Sequence, residues 1–513
     1  MTEPSSHRDE PRPNVVLICV DQWRGDCLSS EGHPVVRTPY LDALAARGVR
    51  FRNAYSATPT CVPARMALLT GLSQEQHRRV GYQDGIDFDI ADTLPRELSA
   101  HGYQTQAIGK MHYSPERVRI GFDDVILHDG YLHHSRHRER DPRFYDDYLT
   151  WLRAQAGAGA VEDYLENGIN CNSIVARPWD KPERLHPTNW VVTEAENWLY
   201  RRDPTRPFFL YLSFHRPHAP YDPPAWAFEQ YLDAPEQEPP VGDWVGEFAH
   251  LRNDALPDAN IARYDPRMAH RARAGYYGHI SHIDAQISRF LEILAEFGVA
   301  DDTYILFTSD HGDMLGDHDM WRKGYPYEGS ARVPMILAGP TIAAGQCAES
   351  IVELRDVMPT LLGCAGVGAP EGLDGRDLRE LVELRDHGAW TAAPAPATRG
   401  SSDAGAELEP DEAHLHGEHV LLGQSMQWIR AGRWKYVWLS ESGREQLFDL
   451  VDDPQELRKR AGDPSAADAL VACRARLIDD LRGRPEGFVD GDELVAGRPV
   501  QTLLEHPHSR RHD

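Results

Sequence analysis

Residues 14–22 read NVVLICVDQ: an apolar, β-branched run that stops abruptly at Asp21 and Gln22. A strand with one wet face would alternate apolar with polar residues. This run does not, which predicts a strand covered on both faces, as in a parallel sheet. Similar runs recur at 105–109 (TQAIG), 207–214 (PFFLYLSF), 303–309 (TYILFTS) and 333–339 (VPMILAG). Between them lie helical patterns. YLDALAARGV (40–49) sets Leu41, Leu44 and Ala45 on one face and ends at Gly48. The stretch from Tyr276 to Phe297 spaces Ile280, Ile283, Ile287, Phe290 and Leu294 as one helical stripe. Strands alternating with helices predict an α/β fold with a large, mostly parallel sheet sandwiched by helices.

The chain has 513 residues, more than one core usually serves. Residues 14–385 carry the strand and helix pattern and are expected to form the large unit. A stretch rich in Ala, Pro, Gly, Ser and acid follows, and 386–418 is expected to be a linker or loop. Beyond it, SMQWIRAGRWKYVWLSESGREQLFDL alternates aromatics around a Ser-Gly turn, then a helix is expected at about 463–482. Residues 419–500 are therefore expected to be a smaller α+β subdomain with an antiparallel sheet. Trp428, Trp434, Tyr436 and Trp438 are expected in its core. Residues 1–13 and 501–513 read as tails.

The formal net charge of −26 argues against nucleic acid, whose backbone it would repel. A small anion would need a local basic cluster. The polar N-terminus shows no apolar signal core, and VVLICV is too short to span a bilayer. A cytoplasmic protein without a membrane anchor is expected. The seven cysteines include no C-x-x-C pair and suggest neither a zinc ribbon nor a redox motif.

The chemistry gathers where the predicted strands end. NVVLICV runs into Asp21-Gln22, TQAIG into Lys110-Met111-His112, PFFLYLSF into His215 and then His218, and TYILFTS into Asp310-His311. Ligands of open α/β sheets bind outside the carboxyl ends of the strands. A lone strand-end Asp is more often a turn or cap, but four such ends on one edge describe a site. Asp21, Gln22, Asp310 and His311 offer three oxygen-type ligands and an imidazole, a set suited to a divalent cation. Lys110, His112, His218 and Lys323 would surround a tetrahedral oxyanion held against it.

CVPARMALLTG (61–71) completes the picture. Pro63 suits the first turn of a helix and Gly71 ends it, which sets Cys61 at the helix N-terminus. Backbone N–H groups there favour anions and lower a thiol's pKa. Arg65, one turn on, would face the same point.

These residues resemble the type I sulfatase family of the alkaline-phosphatase-like superfamily. Its C-x-P-x-R signature followed by T-G is matched by CVPARMALLTG. AIGKMH, HRPHAPYDPP, FTSDHGDMLGDHDMWRKG and IRAGRWKYVW resemble further blocks, in order, over almost the whole chain. The resemblance implies that Cys61 is oxidised to formylglycine by a formylglycine-generating enzyme, a maturation partner. It implies that Asp21, Gln22, Asp310 and His311 bind one divalent metal, with the modified Cys61 completing the shell. Calcium is the usual family metal, and a site with an imidazole also suits manganese or zinc. Arg65 and Lys110 are implied to hold the formylglycine hydrate, whose oxygen attacks sulfur. His218 and Lys323 would bind the sulfate and assist the leaving alcohol. His112 would take the proton whose loss expels sulfate.

The implied activity is hydrolysis of a sugar, aryl or alkyl sulfate ester, a small anionic substrate. Gln22 and His311 replace the aspartate and asparagine of many members, a combination found in members resembling phosphonate monoester and phosphodiester hydrolases. That activity is an alternative for the same site, and an unmodified, non-catalytic anion binder is another. A phosphatase or mutase with a Ser or Thr nucleophile is disfavoured by the intact cysteine signature. The leaving group and the oligomeric state stay open.

Overall fold

The computed structural model describes residues 12–130, 140–166, 168–235, 237–385 and 414–505. Its centre is an eight-stranded sheet of β1 (Asn14–Asp21), β2 (Val49–Tyr55), β3 (Gln104–Gly109), β4 (Asp124–Leu127), β5 (Phe208–Pro217), β6 (Thr303–Ser309), β7 (Met335–Ala338) and β8 (Gln346–Glu353). The order is β4-β3-β5-β1-β6-β7-β2-β8. Neighbours pair in parallel except where β7 meets β6 and β2, so β7 alone runs against the others.

The continuous apolar run of β1 has its reason in the layers. Val16, Ile18 and Val20 join a core under the helices Pro187–Arg201 and Pro266–Glu296, whereas Val15, Leu17 and Cys19 join a second core on the opposite face. All six are fully buried. Each buried aliphatic side chain contributes about 1.5–3 kcal/mol, and β1 lies between β5 and β6 in the middle of the sheet. The expected helix at 40–49 is α1 (Pro39–Ala46), with Leu41, Leu44 and Ala45 buried. The helix expected from Tyr276 begins ten residues earlier, at Pro266, capped by the Asp265 side chain accepting from Arg267 N–H.

A four-stranded antiparallel sheet follows: β9 (Leu415–Leu421), β10 (Gln424–Ala431), β11 (Trp434–Leu439) and β12 (Arg444–Asp449). β9 begins at Leu415, inside the 386–418 stretch expected as linker. Residues 386–413 of that stretch lie outside the described residues. The helix Ala467–Leu481 covers one face through Cys473, Leu477 and Leu481. The other face, with Trp428, Val437 and Phe448, packs on Tyr55, Trp244 and Tyr327 of the large unit. Trp428, Tyr436 and Trp438 are buried as expected, and Trp434 is half-buried.

Candidate active site

Because β1, β3, β5 and β6 run in parallel, their carboxyl ends share one edge of the sheet. β2 ends at that edge too and feeds α2 (Cys61–Thr70), which starts at the cysteine itself. Gly71 stops α2 in the left-handed conformation, φ 68°, its N–H donating to Ala67 O at 3.0 Å.

The β1 and β6 ends are stitched together. Ser309 Oγ donates to Val20 O and accepts from Trp23 N–H. Asp310 Oδ1 accepts from the N–H groups of Gln22 and His311, each at 3.0 Å. Gln22 holds φ 73° and His112 holds φ 58°, left-handed conformations unusual for such side chains. Strain of this kind persists where surrounding contacts over-determine it, as they do here. Met111 and His112 N–H both donate to Asp129 Oδ1 at 2.9 Å.

Around Cys61 the predicted residues converge. Its Sγ lies 3.2 Å from His311 Nε2, 3.4 Å from Lys323 Nζ, and 3.7 Å from both Lys110 Nζ and Asp21 Oδ1. Lys110 pairs with Asp21 Oδ2, and Lys323 Nζ donates to Gln22 Oε1 at 2.9 Å. Arg65 donates through Nε to Asp310 Oδ2 at 2.9 Å and through Nη1 to Ser213 Oγ, Tyr211 Oη and Lys110 O. Burial alone would raise the Asp21 carboxyl, but Lys110, His218, Lys323 and His311 together hold it well below the usual range. Burial and Asp21 push the Cys61 thiol up; Lys110, Lys323 and His311 outweigh them and bring it below its ordinary value.

His218 is buried at the end of β5, and its Nδ1–H donates to Ala219 O at 2.8 Å, leaving Nε2 as the atom for exchange. Burial first, then Lys323, holds it well below the usual imidazole range. His112 is buried just past the end of β3. Its ring meets Tyr82 edge-on at 5.9 Å, and with Val62 and Met66 it lines a small cavity beside α2.

The donor set fits a divalent cation. Asp21, Cys61, Asp310 and His311 are all buried, and their ligand atoms lie within 4.8 Å of one another. His311 Nδ1–H donates to Gly312 O at 2.9 Å, which fixes the tautomer and turns the Nε2 lone pair inward. Gln22 Nε2 donates to Asp313, so its carbonyl oxygen is the end turned toward Lys323.

Several supports escaped the sequence reading. Asp313 anchors Gln22 and the N–H groups of Leu315 and Arg322, and the D-H-G-D spacing was its available signal. Tyr211 and Ser213 hold Arg65 and carry no sequence signal beyond their place in β5. Among the histidines outside the candidate set, His318 Nδ1 accepts from Gly242 N–H and its ring packs on Trp244 at 4.7 Å, a structural role. His279 Nε2 accepts from Asp222 N–H, and His282 bonds Asn189. Of the His- and Arg-rich stretch 128–140, residues 131–139 lie outside the described residues; His128 is buried between Asp146 and Tyr164. A broad cleft between the two sheets, lined by Arg24, Tyr55, His318, Glu328 and Arg430, includes none of the candidate residues.

The Sulfatase family model matches residues 13–367. An arylsulfatase of Clostridium perfringens is 43% identical over 502 residues, covering 96% of this chain and 99% of its own. A multifunctional alkaline phosphatase superfamily protein of Trinickia caryophylli is 32% identical, covering 93% and 99%. Among solved structures, the phosphonate monoester hydrolase of Agrobacterium radiobacter superposes with a TM-score of 0.69 at 28% identity, covering 90% of this chain and 94% of its own. Motif, sheet edge and relatives agree, and the chain belongs to the sulfatase family.

Proposed function

We propose that this protein is a sulfuric ester hydrolase that cleaves a sulfate monoester to an alcohol and inorganic sulfate, at the strand-end site around Cys61. The observation that carries the reading is local. In a chain of net charge −26, Lys110, Lys323 and His311 converge on one buried helix-terminal side chain. Such a pocket attracts a small anion and stabilises charge that builds on it. Kinship over the full length with an arylsulfatase supports the same chemistry.

The finer reading is formylglycine at position 61 and one divalent metal, calcium by family habit, held by Asp21, Gln22, Asp310 and His311. A formylglycine would supply a hydrated aldehyde as nucleophile, and the metal would neutralise charge on it and on the sulfate. The chain's own residues do the rest. Arg65 fixes Asp310, and Lys110 fixes Asp21, so both carboxylates keep their place and charge. Lys323 points its ammonium where sulfate oxygens would lie. His218, tautomer fixed through Nδ1, offers Nε2 toward the leaving oxygen. The arriving anion favours its protonated form, which makes it a donor at the moment a donor is needed. His112 is assigned the proton acceptor for product release. The substrate is taken to be a sugar, aryl or alkyl sulfate.

A second reading is phosphonate monoester or phosphodiester hydrolysis, favoured by Gln22 and His311 and by the 28% identical phosphonate monoester hydrolase. Two measurements test both. Mass spectrometry of the tryptic peptide 53–65, NAYSATPTCVPAR, from native-host protein should show sulfur lost and an aldehyde gained at Cys61. Rates on matched aryl sulfate and aryl phosphonate esters should then favour sulfate. An intact thiol removes the nucleophile, and faster phosphonate turnover selects the second reading.

A further inference from the structure

The small C-terminal sheet lays one side chain, His419, against the chain neighbour of Lys323. β9 is fastened to the large unit on either side of His419. Glu418 N–H donates to Ala57 O at 2.8 Å, and Val420 N–H donates to Val80 O at 3.2 Å. The His419 ring lies against Gly324, the neighbour of Lys323. A Cβ at Gly324 would stand 2.9 Å from His419 Nδ1 and Cε1, and Gly324 holds φ +90°, so the position is closed to larger residues twice over. Gly324 N–H in turn donates to Pro59 O at 2.9 Å, two residues ahead of Cys61. His419 is 4% exposed.

Among the described residues, neither ring nitrogen of His419 has a hydrogen-bond partner of normal geometry. The Gly324 backbone beside it weakly favours protonation, but no bond of normal geometry forms. Burial above all, then His311 and Lys323, brings the imidazole down to about 3, so it is neutral and carries one N–H donor and one acceptor. A buried imidazole with both nitrogens unsatisfied carries a free-energy penalty, and such groups in native proteins call for an explanation. Packing alone does not supply one, because Phe would fill the same space with no polar atom to desolvate. The ring touches Gly324, the chain neighbour of Lys323, whose Nζ lies 3.4 Å from the thiol of Cys61.

We propose that His419 is a substrate-contacting residue, donated by the C-terminal sheet, whose ring N–H hydrogen-bonds a sulfuryl oxygen of the ester beside Lys323. The role needs no proton exchange, only a donor held in place by β9. It rests on the sulfate-ester reading above and adds the small sheet to the active site.

The test compares wild type with His419→Phe, which keeps a ring without a donor, and His419→Gln, which keeps an N–H. His419→Leu replaces the Phe variant if that one fails to fold. KM and kcat for 4-nitrophenyl sulfate, the inhibition constant of inorganic sulfate, and the rise in Tm caused by inorganic sulfate are measured on each. Loss of one buried hydrogen bond should raise KM and the sulfate inhibition constant about tenfold in His419→Phe, with His419→Gln restoring most of it. Values for His419→Phe within twofold of wild type overturn the proposal. Equal damage in Phe and Gln overturns it too, because ring shape would then be the whole role. A wild type that binds sulfate but turns over no sulfate ester would overturn the proposed function instead. The sulfate-induced Tm shift would still decide whether His419 touches the anion.

Discussion

The Arg65 guanidinium and the Asp310 carboxylate form an ion pair with no exposed surface on either side chain, Nε to Oδ2 at 2.9 Å. The pair joins α2, the helix that starts at Cys61, to the end of β6. Breaking a buried pair from one side strands the other charge, at a cost of about 3–5 kcal/mol. Arg65→Ala should therefore lower stability by that order in denaturant unfolding and abolish ester hydrolysis. Arg65→Lys keeps the charge but not the fork that also reaches Tyr211, Ser213 and Lys110 O. It should fold better than the alanine variant and still lose at least about tenfold in kcat/KM, the worth of one such bond. Wild-type stability in Arg65→Ala would show that Asp310 finds another partner.

Metal removal should act on stability as well as on rate. Asp21, Asp310, His311 and the residue at 61 crowd their donor atoms within 4.8 Å. A divalent cation bound to the native state raises Tm by mass action. Chelation followed by graded calcium, manganese or zinc should restore Tm and activity in parallel, and His311→Ala should blunt both responses. A Tm indifferent to all three metals would count against a metal at this site.

The sheet was legible from the sequence because doubly covered strands leave unbroken apolar runs, as in 14–20 and 303–309. The direction of β7 was not, since an apolar run reads alike either way along the sheet. β2, β4 and β8 also went unmarked. They are partly exposed, and VRFRNAY and QCAESIVE mix polar residues into the pattern. The first turns of Pro266–Glu296 carry RMAHRARAG, which has no apolar stripe, so only the Asp-Pro start betrays them. Asp21, Lys110, His311 and Lys323, which the structure gathers around Cys61, were legible because they sit at strand ends or in a motif. The site read poorly where a residue arrives from a distant strand. His419 comes from β9, far along the chain, and nothing local in EHVLL marks it.

Asp284 offers a pH prediction away from the site. Its carboxylate accepts from Tyr40 N–H and Leu41 N–H at the start of α1, yet burial dominates and pushes its pKa up to about 7. A carboxyl raised in the folded state keeps its proton longer there than in the unfolded chain. Its contribution is thus full below pH 4 and is lost as pH rises through about 7. The swing is of the order of a few kcal/mol, at about 1.4 kcal/mol per unit. Asp284→Asn removes the titration, so its stability relative to wild type should improve steadily from pH 4 to 7 and then level off. Urea unfolding across that range checks it, and a constant difference would mean the group titrates normally.

Lys435 ties the small sheet to the large unit. Its fully buried ammonium donates to Glu328 at 2.6 Å and Glu456 at 2.9 Å, and lies over the rings of Trp428 and Tyr55. Burial raises Glu456 to about 7 even with Lys435 present, whereas Glu328, which also has Arg332, stays below its ordinary value. Lys435→Met leaves two buried carboxylates facing each other with the cation gone. At pH 8 both must ionise or repel, and the cost should approach about 3–5 kcal/mol. At pH 5.5 protonation relieves them, because losing the cation raises both carboxyls further. The penalty should therefore shrink as pH falls. Chemical unfolding of wild type and Lys435→Met at the two pH values decides it. Equal penalties would mean that the cost is lost packing of the lysine stem, and that the charges contribute nothing to holding the two sheets together.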